Sequence, residues 1–428
     1  MTSKPTARNL RVLVLVSLFV LQASRLSYSQ TISTATVSTR APLILKTFDY
    51  LLTPFSQGAI ARLPVIDTDP NRGPTMGFMP VWVVQNKKED RIIHIHAPSI
   101  TYNRIFRWNT TYRYYYYPTR DSELDFRASS AFRTNREIMA DYKGPVAATE
   151  LDVHVRLNYD RDGSKRFFGI GPNSRKEDES NYTLETLMYL VDFGFPIISN
   201  EPWKIRLGNQ FMASKVLDGP ISDLPDIATK FPQFATPQRQ KTMLYHLGLG
   251  YDTRDHKTTT KEGAYSEIYA EASRRFSGSD TNFHRYGLDF RWFKPHSQRW
   301  THALRAQMQQ AFGGNIPFYL EPSLGGKYLF RSYGEGRYID RGMTALSLEE
   351  RCKVWHDLIA GVLVEISIDP FYQIGAVYPK IDSFKPKYIR QAVGVALRMI
   401  ARPQVVGSLD LGVGDEGLSV FVDINYSY

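Results

Sequence analysis

Two-residue alternation of apolar and polar side chains is the feature that most constrains the fold of this 428-residue chain. In LDVHVRLNYD, residues Leu151–Asp160, every second residue from Leu151 is apolar or Tyr, and the residues between are polar or charged. Successive side chains of a β-strand point to opposite faces, so this segment is predicted to be a strand with one apolar and one polar face. The pattern recurs in Tyr245–Arg254, Tyr286–Phe293, Val362–Asp369 and Leu418–Tyr428.

The polar faces of these strands distinguish two architectures. A soluble β-sandwich buries its apolar faces, whereas a transmembrane barrel turns them to lipid and encloses the polar faces. Pairs such as Asp152 with Arg156 and Asp252 with Arg254 suit a wet lumen. The sequence therefore predicts an all-β fold, a transmembrane antiparallel β-barrel of about 16 strands over residues 75–428. A large soluble β protein is the alternative.

The N-terminus has the layout of a secretory signal peptide. Basic Lys4, Arg8 and Arg11 precede the apolar run Val12–Leu21, and small residues follow near residue 29. This run is too short for a spanning helix, which needs roughly 20 apolar residues. We expect a signal peptide over residues 1–29 and a short periplasmic linker or N-terminal segment over residues 30–74. An N-terminal membrane anchor is the alternative.

The charge and the cysteine content exclude other classes. The formal net charge is +10, but many basic residues alternate with apolar ones along the chain. A nucleic-acid-binding protein would concentrate them in a patch, so we expect no nucleic acid partner. A basic lumen, or basic loops facing anionic lipid headgroups, fits better. The single cysteine, Cys352, excludes an intramolecular disulfide.

Five segments carry more information than the general strand pattern. They are Arg166–Ser174, Leu249–Asp255, Leu324–Arg341, Leu348–Arg351 and Phe371–Tyr378. In the third, LGGKYLFRSYGEGRYIDR, a double-glycine turn leads to a tip that contains arginine. Taken in order, the segments resemble the surface-antigen domain of the BamA/TamA superfamily of outer-membrane β-barrels. The resemblance implies a non-enzymatic protein of the bacterial cell outer membrane that assists protein insertion or translocation, or transport.

The resemblance also implies a site inside the barrel. In the superfamily the arginine at the loop tip, matched here by Arg331, docks against a strand motif that contains aspartate. Ser332 stands at the tip glycine, Tyr333 follows it, and neutral Gln373 stands where the aspartate would be. Asp369 and Glu365 share the parity of Gln373 and are expected to face the same lumen. We hypothesise that Arg331 contacts Gln373 with help from Asp369 or another lumen acid; a solvated loop arginine is the alternative.

Both ends of the chain bear on this resemblance. Members of the superfamily that insert proteins usually carry periplasmic POTRA domains, and the segment before residue 75 is too short for one. We therefore expect a barrel that lacks POTRA domains. At the other end, Ile424, Tyr426 and Tyr428 resemble the C-terminal signal by which outer-membrane barrels reach their assembly machinery. Phenylalanine is the usual last residue there.

Other functions remain as alternatives. The first is a substrate-selective or passive outer-membrane channel, and the second is an outer-membrane lipid hydrolase, although no nucleophile elbow links a Ser to a His. His94 and His96 share a face, but a third metal ligand is not apparent. We expect no catalytic, cofactor-binding or metal-binding residues. The expected partners are outer-membrane lipids and lipopolysaccharide, the barrel assembly machinery during biogenesis, and a protein client.

The C-terminal pattern yields a first prediction. Deletion of Tyr428 should impair assembly more than any activity of the finished barrel, because the residue is assigned to the assembly signal. The measurement is the amount of heat-modifiable barrel in the outer-membrane fraction, compared with activity per assembled molecule. Equal assembly of the truncated and full-length chains would contradict this assignment.

Overall fold

A single antiparallel sheet dominates the structure, a computed structural model that describes residues 52–86, 91–146, 149–235, 238–314, 316–359, 362–401 and 404–423. The predicted signal peptide, residues 1–29, lies outside these described residues. The predicted assembly-signal residues Ile424, Tyr426 and Tyr428 lie outside them as well. Within the described ranges the sheet has 20 strands, and two more strands form a small separate sheet.

The strands follow one another in chain order. The first nine are β1 (Leu52–Phe55), β2 (Gly58–Asp67), β3 (Thr75–Asn86), β4 (Arg91–His96), β5 (Ser99–Asn103), β6 (Arg107–Tyr116), β7 (Glu123–Ala131), β8 (Arg136–Pro145) and β9 (Asp152–Phe167). The next six are β10 (Ser180–Pro196), β11 (Trp203–Asp218), β12 (Gln240–Asp252), β13 (Gly263–Ser273), β14 (Asn282–Pro295) and β15 (Trp300–Gly314). The small sheet contains β16 (Ser323–Leu324) and β17 (Tyr338–Ile339). The last five are β18 (Gly342–Ile359), β19 (Val362–Tyr378), β20 (Arg390–Ala401), β21 (Gln404–Gly414) and β22 (Gly417–Asp423).

The helices are short and lie in the connections. They are one α-helix, Ile227–Lys230, and the 3₁₀ turns Lys176–Asp178, Pro232–Phe234, Arg275–Ser277, Phe318–Leu320, Ile381–Ser383 and Pro386–Tyr388. Within the described ranges, none of these helices has the length and apolarity that a membrane-crossing helix needs.

Pairing of neighbours in the chain builds a ring of strands. β4 and β5 both pair with β3 and with β6, so they are two halves of one interrupted strand. With that pair counted once and four-residue β1 set aside, 18 described strands form the ring, close to the number expected. At the closure the amide of Thr68, just after β2, donates to the carbonyl of Val420 on β22 at 3.0 Å. The predicted all-β antiparallel barrel is confirmed.

The sheet starts before residue 75, the boundary expected from the sequence. β2 pairs with β3 along its whole length, from Gly58 opposite Val84 to Asp67 opposite Thr75. The alternation is hard to read here, because two buried residues of β2, Ala59 and Ala61, are small. The described part of the predicted linker therefore contributes a full strand to the barrel.

The barrel is apolar outside and polar inside. Large apolar side chains at every second position point outward and are exposed, among them Leu187, Leu207, Leu247, Ile268, Leu397 and Leu418. Charged side chains on the opposite faces are buried, among them Asp141, Asp192, Glu349, Asp369 and Arg398. Burial of this kind is the reverse of a soluble sandwich and is the arrangement that lipid requires.

The two ends of the barrel differ in their connections. One end, here called the long-loop end, carries the connections 168–179, 219–239, 315–341 and 379–389. The other, here called the short-turn end, carries mostly short connections such as those between β14 and β15 and between β21 and β20. The longest connection at the long-loop end, between β15 and β18, contains the proposed site.

The outward apolar face gives the second prediction. Leu187→Arg, at the middle of β10, should destabilise the barrel in a bilayer by about 2–4 kcal/mol, because the charge would enter the hydrocarbon. Ile198→Arg is the matched control, since Ile198 is 63% exposed in the turn after β10. Equilibrium unfolding in liposomes measures the difference, and equal effects of the two substitutions would contradict the assignment of the lipid-facing surface.

Candidate functional site

The connection from β15 to β18 folds back into the lumen, and we call residues 317–341 the plug loop. Its two strands pair at the base, Ser323 with Ile339 and Leu324 with Tyr338. Gly325 and Gly326 follow with φ of 134° and 88°, values that glycine adopts at little cost. This double-glycine turn is the one that the sequence predicted, and it directs the following residues inward.

The tip of the plug loop is fully enclosed. Phe330, Arg331 and Tyr333 have no exposed surface, and Ser332 is only 2% exposed. The apolar side chains of the loop pack against Met343, Ala345, Val377 and Ala392 of the barrel wall. The loop is therefore part of the barrel core and does not extend into solvent.

Arg331 is anchored through both its backbone and its side chain. Its amide donates to Oε1 of Gln373 at 2.8 Å, and its Nη1 donates to Oε2 of Glu349 at 2.9 Å. Its Nε and Nη2 have no hydrogen-bond acceptor among the described residues. The guanidinium carbon lies 3.6 Å from the centre of the Phe371 ring, so a cation–π contact offsets part of the lost hydration.

Glu349 on β18 is the acceptor that three arginines share. Its carboxylate also accepts hydrogen bonds from Nε of Arg351 at 3.0 Å and from Nη2 of Arg398 at 3.1 Å. All of these side chains are at most 6% exposed. A buried carboxylate with several charge-assisted donors holds them firmly, and removal of one partner leaves an uncompensated charge.

Two more acids complete this arrangement. Arg398 on β20 pairs with Asp369 on β19, and its Nη2 lies 3.6 Å from Oδ1 of Asp410 on β21. Nη1 of Arg331 lies 3.8 Å from the same oxygen of Asp410. The luminal charge cluster thus contains three arginines and three acids: Arg331, Arg351, Arg398, Glu349, Asp369 and Asp410. Its formal charges cancel, which favours burial of the whole set.

The structure brings together most of the site residues named from the sequence. Arg331 meets Gln373, but through its backbone amide, and Gln373 also donates to the carbonyl of Leu329 at 3.2 Å. Asp369 belongs to the cluster through Arg398. Glu365 lies elsewhere on the wall, with its Oε1 3.9 Å from Nζ of Lys261.

Sequence reasoning missed the acids that pair with the arginine side chain. Glu349 and Arg351 lie in LEER, a segment noted for its resemblance, but their contact with the plug loop was not inferred. Asp410 is the single charge on β21, and Arg398 is the second charge on β20, eight residues after Arg390 at the start of that strand. Isolated inward charges of opposite sign on neighbouring strands are the signal that could have identified them.

The segment Arg166–Ser174 packs on the outer part of the plug loop. The amide of Gly171 donates to the carbonyl of Ile339 at 2.8 Å. Arg337 donates to Oγ of Ser174 at 3.1 Å and to Glu416 at 2.6 Å. Two segments singled out in the sequence are therefore in direct contact at the long-loop end.

A second connection enters the lumen from the short-turn end. Residues 253–262 join β12 to β13, and Thr259 and Thr260 within it are almost fully buried. Nη1 of Arg351 donates to the carbonyl of Thr260 at 3.0 Å. Because Arg351 also binds Glu349, the luminal charge cluster touches the connections from both ends of the barrel.

Two carboxyl groups near the ends of the plug loop have raised pKa values. Burial raises the pKa of Glu321 to about 7, and burial also raises the pKa of Asp340. Nε of Arg341 lies 4.0 Å from Glu321 and opposes the shift only in part. The pKa of Glu321 is higher in the folded protein than in the unfolded chain. Protonation of Glu321 therefore stabilises the docked plug loop as the pH falls through about 7.

The histidines give limited grounds for a metal site. Nδ1 of His94 and Nδ1 of His96 lie 2.9 and 2.8 Å from tyrosine hydroxyls on β6. One group of three possible ligands exists within the described residues, with the ligand atoms of His296, His302 and Glu350 within 4.8 Å of one another. The expectation of no metal, cofactor or catalytic residue remains a prediction.

Comparison with known proteins identifies the family. The model of the Omp85 superfamily domain matches residues 103–413. The chain belongs to the Omp85 superfamily. Omp85 barrels are outer-membrane proteins, and membership supports an outer-membrane location by homology. A search among curated proteins returned no significant match.

Three solved structures are similar to this chain. BamA from Haemophilus ducreyi lacking POTRA domains 1-3 is 15% identical, with a TM-score of 0.50 over 93% of this chain and 80% of that one. CdiB from Acinetobacter baumannii is 13% identical, with a TM-score of 0.49 over 86% of this chain and 60% of that one. CdiB from Escherichia coli is 13% identical, with a TM-score of 0.47 over 87% and 63%. At this identity the first match supports the fold alone.

The plug contacts give the third prediction. Arg331→Ala should weaken docking of the plug loop by about 3–5 kcal/mol, because Glu349 would lose a buried partner. Trypsin cleavage within residues 327–341 of the folded barrel should then become faster than in the wild type. Arg175→Ala is the control, because this exposed arginine has Asp178 as its ion-pair partner among the described residues, and a surface pair is worth about 1 kcal/mol at most. Cleavage as slow as in the wild type would refute a structural role for the tip.

Proposed function

We propose that this protein assists the insertion or translocation of proteins at the bacterial outer membrane and that its lumen is closed at rest. The observation that carries the proposal is the buried tip of the plug loop, with Arg331 paired to Glu349. A passive porin needs a water-filled lumen, whereas this lumen contains connections from both ends. Membership of the Omp85 superfamily supports the same function.

The orientation follows from the connections. Outer-membrane barrels have short periplasmic turns and longer loops at the cell surface. We therefore place the long-loop end outside the cell and the short-turn end in the periplasm. The proposed partners are outer-membrane lipids and lipopolysaccharide around the wall, the barrel assembly machinery during biogenesis, and a protein client.

A substrate-selective channel is the second candidate, and the inner wall of β9–β15 favours it. Ion pairs there include Lys204 with Asp152 at 2.6 Å and Arg305 with Asp289 at 2.9 Å. Such a wall stays wet and could conduct when the plug loop is displaced. The insertion or translocation function is proposed with the plug loop docked at rest, whereas a channel conducts only when the plug loop is displaced.

The fourth prediction separates these candidates. In planar bilayers the wild-type barrel should give small, flickering currents, and Arg331→Ala should give larger ones, because its plug loop leaves the lumen more often. In liposomes the wild type should accelerate the folding of a client barrel added from urea. Arg175→Ala is the control in both assays and should behave like the wild type.

Two outcomes would overturn the proposal. Steady, large single-channel currents from the wild type, without acceleration of client folding, would establish a channel. Absence of the protein from the outer-membrane fraction, with no mobility shift on boiling, would exclude the location itself.

A further inference from the structure

A groove runs along the outer wall of the barrel across β12, β13 and β14, with a volume of about 360 Å³. Its floor is formed by Ala270 and Ala272 of β13, and its sides by Tyr245 and Leu247 of β12 and by His284 and Tyr286 of β14. The register places these residues directly opposite one another. Tyr245 and Tyr286 are 45% and 52% exposed, so the groove is open to the surroundings of the barrel.

The shape of the groove suits a hydrocarbon chain. Two alanines leave a shallow floor between larger side chains on both neighbouring strands, and the lipid-facing surface dips there. The ring of His284 stacks on Phe312 of β15, with the ring centres 5.4 Å apart, which extends one side. A linear apolar chain that lies in the groove would contact side chains along its length, which a flat wall cannot provide.

A cation lies at the long-loop end of the groove. Arg274 directly follows β13, and its Nη1 donates to the carbonyl of Phe283 at 3.1 Å, with Asn282 and the carbonyl of Ser273 at 3.3 Å. These bonds hold the guanidinium beside the groove. Within the described part of the chain they use Nη1 alone, which leaves Nη2 and Nε for a ligand. Exposed Arg275 and Phe276 follow in the same turn, and Phe276 is 89% exposed.

We infer that this groove binds a phosphorylated lipid of the membrane leaflet at the long-loop end. An acyl chain lies over Ala270 and Ala272, and a phosphate is bound by Arg274. Arginine binds phosphate through two parallel N–H donors, and the proposed outer-membrane location, on which this inference rests, supplies such lipids. The charge of Arg274 favours an anionic headgroup, and the apolar groove favours an acyl chain.

Native mass spectrometry of the full-length barrel in detergent tests the inference. The probes are diphosphorylated lipid A and the same lipid without phosphates. The wild type should retain one phosphorylated lipid. Arg274→Ala should lower its retention about fivefold and should reduce the difference between the two probes, because one cationic contact is lost. Filling the floor with Ala270→Leu and Ala272→Leu together should abolish retention of both probes.

Two matched variants serve as controls. Arg133→Ala removes an exposed arginine from another turn at the long-loop end, and Ala306→Leu enlarges an outward alanine of β15, opposite Phe290. Both should retain the lipid like the wild type. Heat modifiability verifies that each variant is folded, and Ala272→Val replaces the double variant if that one does not fold.

Equal retention by the wild type and the groove variants would overturn the inference. Equal retention of the phosphorylated and dephosphorylated probes by the wild type would do so as well. A co-purifying protein that protects the groove and excludes lipid would assign the surface to a protein partner and would also overturn it. The assay contains no client and measures no current, so a failure of the proposed insertion function leaves its result interpretable.

Discussion

The charge interaction around Glu349 is the constraint on which the closed lumen depends. Three arginines from the plug loop, β18 and β20 converge on this one buried carboxylate. Desolvation of so many charges is costly, and mutual neutralisation with Asp369 and Asp410 offsets much of that cost. The plug loop supplies Arg331 to this cluster, and we therefore expect loop docking and lumen electrostatics to form one cooperative unit.

Close packing adds to this unit. The tip of the plug loop lies directly on the backbone of β21, where a side chain at Gly412 would overlap the carbonyl oxygen of Arg331. Ser419 of β22 donates to the carbonyl of Ser332 at 3.0 Å. The tip thus contacts the last strands of the ring as well as β18 and β19. Through Arg351 and Thr260 the same network reaches the connection that enters from the short-turn end. Release of the plug loop would consequently affect both ends of the barrel.

Much of the fold could be predicted from the sequence, because a strand with one lipid-facing and one luminal face requires apolar and polar residues to alternate. The double-glycine turn also follows from local sequence, whereas the inward course of Arg331 was expected from the resemblance to the BamA/TamA superfamily. The start of the barrel could not be predicted, because the small Ala59 and Ala61 obscure the alternation in β2. The partners of the Arg331 side chain could not be predicted either, since Glu349 and Asp410 come from strands whose spatial order depends on the ring as a whole.

The most direct test of the central claim is a disulfide cross-link between the plug tip and the wall. A Cβ at Gly414 of β21 would lie 3.0 Å from Cβ of Ser332. In a Cys352→Ser background, Ser332→Cys with Gly414→Cys should form a disulfide under mild oxidation in the folded barrel. A small outward shift of either residue gives the separation of roughly 3.5–4.5 Å between Cβ atoms that a disulfide needs. Trypsin digestion before non-reducing electrophoresis would reveal the linked fragments. Two cysteines that stay reduced and both react rapidly with a water-soluble maleimide would contradict a plug loop docked in the lumen.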